Sequence, residues 1–188
     1  ECMLLEKWNR LLHSDIFKEF DRGAVLQKDF LEMLPQEYDK DQLIYLFKHL
    51  YKHLFPLKKG IEILNLVKVA GFKTYILSNF GKEVFEEARY QYGFLDKFDG
   101  AIFSFQVKQI KPEPEIYQTL LNNYSLRAEE SLFIDDMQIN IEAAKKLGID
   151  GIVCKNHTSL FKKLQELEVI PYSRELSGEK NLEVSSNL

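Results

Sequence analysis

A chain of 188 residues, 45% apolar and 29% charged, suits one compact soluble domain with a small appendage. Its net charge of −4 argues against a nucleic-acid partner, which would reward a basic face. No apolar run approaches the roughly 20 residues of a membrane span, so no membrane partner is expected.

The start, Glu1-Cys2-Met3-Leu4-Leu5-Glu6, is too short and too acidic for a signal peptide. Cys2 and Cys154, far apart in sequence, read as free thiols of a reducing cytoplasm. Opening on Glu1 rather than Met, the chain is expected to be an excerpt of a longer product.

Residues 1–57 predict a small helical bundle. An aromatic-rich stretch from Trp8 to Phe20 is punctuated by Gly23. A short helix around Phe30 and Leu31 is stopped at Pro35, and Leu43, Leu46, Phe47, Leu50, Leu54 and Phe55 recur at helical spacing.

Beyond Pro56 helices and short apolar strands alternate. A helix over 60–70 is closed by Gly71, and Thr74 to Leu77 is a strand. A helix over 82–92 precedes the strand Ala101-Ile102-Phe103, and Pro112 and Pro114 open a helix over 113–124. Leu132-Phe133-Ile134 is a strand, residues 139–147 a helix closed by Gly148, Gly151 to Cys154 a strand, and 159–167 a last helix. Alternation of this kind predicts an α/β, Rossmann-like parallel sheet with helices on both faces, over residues 58–170. From 171 to 188 polar residues dominate, and a disordered tail is expected.

Ligands of such sheets bind beyond the carboxyl ends of the strands. The residues delivered there are Ser78 and Asn79, Lys111, and the pair Asp135-Asp136. Adjacent carboxylates repel unless a cation or proton is shared, and oxygen donors suit Mg²⁺ together with water and phosphate. Lys111 supplies a point charge for a phosphoryl group, and Ser78 a hydroxyl donor helped by the helix that follows. Taken singly, each feature has a plainer use. Asp135-Asp136 would cap a helix, Ser78-Asn79 would make a turn, and Lys111 would be solvated. His49 and His53, four residues apart, lack a third ligand and read as a half-exposed helix face.

Together these motifs resemble the haloacid dehalogenase superfamily. Ile76-Leu77-Ser78-Asn79 resembles its second motif, and Lys111-Pro112-Glu113-Pro114-Glu115-Ile116-Tyr117 its third. Phe133-Ile134-Asp135-Asp136, with Asn140 and Ala143 to Gly148, resembles its fourth. Residues 1–57, notably Phe20-Asp21-Arg22-Gly23 and Asp29-Phe30, resemble the family's α-helical cap.

The resemblance implies a Mg²⁺-dependent phosphatase of a small phosphorylated metabolite. Ser78, Asn79 and Lys111 would bind the phosphoryl group, Ser78 and Lys111 acting in catalysis, and Asp135 and Asp136 would bind the metal. Asn140 would have a supporting role, and Met137 replaces a common serine. The family's nucleophile is an aspartate ending the sheet's first, central strand, which forms an aspartyl-phosphate. That unit is expected to be missing here. Phe20-Asp21-Arg22-Gly23 superficially imitates it, but Ile16 to Phe20 is not a buried-strand run. A chain without the central strand would expose two strand edges, aggregate readily or bind no phosphate. Alternatives are a 2-haloacid dehalogenase, which needs no metal, and a non-catalytic relative that only binds a ligand or partner. Oligomeric state is open.

Overall fold

The computed structural model describes residues 2–50, 56–91 and 93–172. His53 and the expected tail from Ser173 onward lie outside them. The first four helices are α1 (Cys2–Leu12), α2 (Asp15–Asp21), α3 (Gln27–Met33) and α4 (Lys40–Leu50). They enclose their own core of Leu11, Phe20, Phe30, Leu31, Leu34 and Leu43, with Phe17 and Tyr38 against it. Three of its rings, Phe17, Phe20 and Phe30, pack pairwise at centroid distances of 4.8–5.9 Å, within the range at which edge and offset contacts are favourable. Ser14 caps α2 by accepting the Phe17 N–H at 3.3 Å, the ordinary use of a serine just before a helix.

The rest alternates as α5 (Lys58–Val69), β1 (Tyr75–Ser78), α6 (Lys82–Gln91), β2 (Gly100–Phe103) and the single turn α7 (Ser104–Val107). It continues with α8 (Pro114–Tyr124), β3 (Leu132–Asp135), α9 (Gln138–Lys146), β4 (Asp150–Val153) and α10 (His157–Glu166). Gly71 and Gly148 follow α5 and α9 at φ +91° and +82°, the left-handed conformation that ends a helix.

The strands form two parallel pairs, β1 with β2 and β3 with β4, rather than one continuous sheet. Among the described residues β1 and β3 are each hydrogen-bonded along one edge only, because no strand lies between them to accept the other ladder. One apolar core nevertheless spans both pairs. Leu77 and Ile102 from the first meet Ile116, Tyr117 and Leu120 of α8, Ala144 of α9 and Ile149. A second core holds α5 and α10 together through Ile63, Leu160, Phe161 and Leu164, with Leu132 and Ile152 against it. Helices therefore cover both faces, but Ile134, in the middle of β3, is 38% exposed. A central parallel strand normally buries both faces.

The outer edge of β2 is closed by a side chain. Tyr124 Oη accepts the Ala101 N–H at 2.8 Å and donates to the Ala101 carbonyl at 3.1 Å. This ring needs Gly100, since a Cβ there would stand 2.3 Å from it. Gly100→Ala is expected to lower stability by about 1–3 kcal/mol through overpacking, read as a drop in thermal midpoint. Gly93→Ala, with nothing within 4 Å of its would-be Cβ, serves as the neutral control.

Candidate active site

Strand and loop ends bring four of the five residues singled out in the sequence into one connected polar chain. Asn79, just after β1, clamps the Lys111 backbone from both sides. Its Nδ2 donates to the Lys111 carbonyl at 3.0 Å, and its Oδ1 accepts the Lys111 N–H at 2.8 Å. Lys111 Nζ then donates to Asp135 Oδ2 at 2.6 Å, an ion pair with side chains only 12% and 5% exposed. The ammonium also sits 5.6 Å from the Phe133 ring centroid, a favourable cation–π distance. The Lys111–Pro112 peptide is cis.

Asp135 is fully engaged. Besides Lys111, its Oδ1 accepts the Met137 N–H at 2.8 Å and Asn140 Nδ2 at 2.9 Å. Asn140 is itself buried, on the first turn of α9. Its backbone carbonyl accepts the Tyr117 hydroxyl at 2.9 Å. Burial, with the Asp135 charge beside it, pushes the Tyr117 phenol up from its ordinary value, so it stays a neutral donor.

Asp136 is the opposite case. It lies in the bend just past the end of β3 and is exposed, without a hydrogen-bond or ion-pair partner among the described residues. Its charge adds to burial in pushing the Cys154 thiol up, which keeps that free cysteine protonated and a poor nucleophile.

Ser78, the last residue of β1, is half-buried, with its hydroxyl only loosely engaged, 3.4 Å from the Asn79 carbonyl. It enters the cluster through Asn79 rather than by direct contact with Lys111. The helix expected to assist it, α6, starts at Lys82, beyond the Asn79-Phe80-Gly81 loop. No group of three or more His, Cys, Asp or Glu side chains among the described residues is placed to hold a metal. His49 is occupied locally, its Nδ1 2.7 Å from the Tyr45 carbonyl.

Asp21 lies in helix α2, not at a strand end. Burial pushes its carboxyl up to about 6 from 3.8, without a side-chain hydrogen-bond partner among the described residues. Three residues that the sequence did not single out complete the surroundings: Ser104, Arg22 and Glu113. Ser104 carries no signature in sequence. Arg22 lies in the Phe20-Asp21-Arg22-Gly23 segment and Glu113 inside the Lys-Pro-Glu-Pro motif, and these were the available hints.

Residues 8–154 match the family model of haloacid dehalogenase-like hydrolases. The chain belongs to that family. Among proteins of described activity, it is 24% identical to the sesquiterpene phosphatase of Aspergillus oryzae, over 87% of this chain and 84% of that one. It is 26% identical to the D-ribitol-5-phosphate phosphatase of Bacteroides thetaiotaomicron, over 88% of this chain and 81% of that one. A solved family enzyme from the latter organism superposes with a TM-score of 0.63 at 23% identity, covering 83% of this chain and 82% of its own. This haloacid dehalogenase-like fold accounts for the parallel strand pairs and for a polar cluster at their carboxyl ends.

Two outcomes follow from the geometry. Asp135→Asn should cost about 3–5 kcal/mol, because it leaves Lys111 buried without its counter-charge. Asp136→Asn should leave the denaturation midpoint nearly unchanged. For Asp21, the raised folded pKa means that stability is fully present below the unfolded value near 3.8 and is lost as pH rises through about 6. Asp21→Asn should therefore raise the melting temperature at pH 7.5 and leave it unchanged near pH 4. Melts across that range check it.

Proposed function

We propose that this chain supplies the phosphate- and metal-binding groups of a Mg²⁺-dependent phosphatase of a small phosphorylated metabolite. The observation that carries the reading is the unequal division of the paired aspartates. Asp135 anchors Lys111, and Asp136, just past the same strand end, has no hydrogen-bond or ion-pair partner among the described residues. Mg²⁺ accepts one or two carboxylates and completes its octahedron with water and phosphate oxygens, so this donor set fits it. Asp136 would hold the ion, with Asp135 beside it fixing the geometry. When bound, the ion neutralises charge on the phosphoryl oxygens. Structures of the related Bacteroides enzyme include a complex with magnesium and inorganic phosphate.

Lys111, held by Asn79 and Asp135, presents a fixed positive charge to the transferring phosphoryl group, and the Ser78 hydroxyl donates to one of its oxygens. Asn79 acts through Lys111, since both ends of its amide are already bonded to that backbone.

The nucleophile in this reading is a carboxylate on a strand paired between β1 and β3. The unpartnered edges of those strands and the exposure of Ile134 support it. The carboxylate attacks phosphorus, the substrate alcohol departs with a proton, and water then cleaves the aspartyl-phosphate to release inorganic phosphate. Residues 1–57 serve as a cap over a core of 58–170. No described helix is long and apolar enough to cross a membrane, and the free thiol of Cys154 suits a cytoplasmic setting.

A dehalogenase from Pseudomonas is 27% identical over 128 residues, covering 68% of this chain and 55% of that one. A metal-free dehalogenase has no use for a metal-binding carboxylate at Asp136, whereas a non-catalytic binder of an anion would use Lys111 as well and is separated from the phosphatase only by turnover. Joining an apolar strand ending in aspartate to the N-terminus decides the matter. Hydrolysis of p-nitrophenyl phosphate that requires both that aspartate and Mg²⁺ is expected. Asp136→Asn should raise the Mg²⁺ concentration for half-maximal rate at least about tenfold. Halide release from 2-chloropropionate, or turnover unaffected by chelation, would overturn the phosphatase reading.

A further inference from the structure

Residues 20–23 end α2 and touch both loops that carry the polar site. Toward the Ser78 loop, the Phe20 ring lies where a Cβ on Gly81 would come within 3.0 Å of it. The Asp21 carbonyl accepts from Ser104 Oγ at 2.5 Å, and the same hydroxyl oxygen accepts the Phe80 N–H at 2.9 Å. Ser104 is fully buried, so one hydroxyl ties α2 to the loop following β1.

Toward the Lys111 turn the contact is ionic and directional. Arg22 Nη1 and Nη2 donate to the two carboxylate oxygens of Glu113, each at 2.7 Å. Nη1 also reaches the Lys108 carbonyl at 3.4 Å, and the Lys108 ammonium donates back to the Gly23 carbonyl. Gly23 stands at φ +68°, and a Cβ there would lie 2.8 Å from Phe105 Cα. The two backbones therefore meet with no side chain between them.

Glu113 closes the turn that contains Lys111, its N–H donating to the Ile110 carbonyl at 2.9 Å. A two-pronged guanidinium–carboxylate contact fixes rotation as well as distance. With side chains 23% and 38% exposed, the pair adds little net stability, so its effect is chiefly on orientation. The second partner of Arg22, Glu19, lies on α2 itself at 3.1 Å and transmits nothing to the core.

We propose that Arg22 is a positioning residue of the anion site: by clamping Glu113 it holds the Ile110–Glu113 turn, and Lys111 with it, to the helical unit. Docking of residues 20–23 and placement of the Lys111 charge are then one event. The functional meaning of this coupling rests on the phosphatase reading, whereas the mechanical link does not.

The test compares the unsubstituted chain with Arg22→Ala, Arg22→Lys, Glu19→Gln and the charge-swapped double variant Arg22→Glu/Glu113→Arg. Amide hydrogen exchange is followed at residues 108–113, and binding of inorganic phosphate by ³¹P NMR. Arg22→Ala should speed exchange at 108–113 about tenfold while the β3 and β4 amides keep their rates. Arg22→Lys should recover only part of the protection, the double variant most of it, and Glu19→Gln should change nothing. Phosphate affinity should fall and recover in the same order. Unchanged exchange at 108–113 in Arg22→Ala, or a uniform rise across the chain, would overturn the coupling. Should the chain bind no phosphate even with the apolar strand and its aspartate joined to the N-terminus, the phosphatase reading loses its support, and the exchange pattern still decides the link.

Discussion

A lysine and an aspartate with side chains 12% and 5% exposed cannot be kept apart in this fold, and much of the arrangement around them follows from that constraint. Removing either charge from water costs several kcal/mol unless the other is at hand with further hydrogen bonds. Asp135 meets this demand with three donors: Lys111, the Met137 N–H and Asn140. The pair also joins the two strand pairs, which share no backbone ladder among the described residues. Lys111 is bound to the loop after β1 through Asn79, and Asp135 terminates β3.

The same constraint separates the functions of the two adjacent carboxylates. A carboxylate saturated by three donors is held rigidly and already balanced in charge. Its neighbour, in the bend just past the strand end, is exposed and open to a ligand. Two equivalent aspartates at this position would repel each other and compete for Lys111. Chemistry is thus assigned by environment rather than by residue type, as when neighbouring carboxyl groups acquire different roles from different surroundings.

Much of the α/β layer was legible in the sequence because its signals are local. Tyr75 to Ser78 and Leu132 to Asp135 are short apolar runs between polar or glycine-marked breaks. Gly71 and Gly148 mark helix ends at positive φ. The grouping of Ser78, Asn79, Lys111 and Asp135 was legible too, since parallel strands deliver their carboxyl ends to one side. What could not be read is what depends on distant partners. Arg22 and Glu113 are 91 residues apart, and Ser104 is indistinguishable in sequence from a surface serine. The single turn α7 is too short to show a period. The unequal burial of Asp135 and Asp136 depends on β3 ending between them, and a run of four residues does not reveal where it ends.

The division of the strands into two pairs bears on how the helical N-terminal unit contributes. A continuous parallel sheet fixes its loops through shared ladders, so that the ends of neighbouring strands move together. Among the described residues β1 and β3 lack that common ladder, and side chains carry the alignment instead. The core of α8 and α9 packs across both pairs, Tyr117 reaches the Asn140 carbonyl, and Lys111 reaches Asp135. A strand seated between β1 and β3 would restore backbone continuity at the place where the polar groups converge and would cover Ile134. It would also bring its own terminal residue beside Ser78, Lys111 and Asp136. Among the described residues, the open edges of β1 and β3 and the exposed Asp136 carboxylate thus meet where the nucleophile of the proposed phosphatase would be supplied.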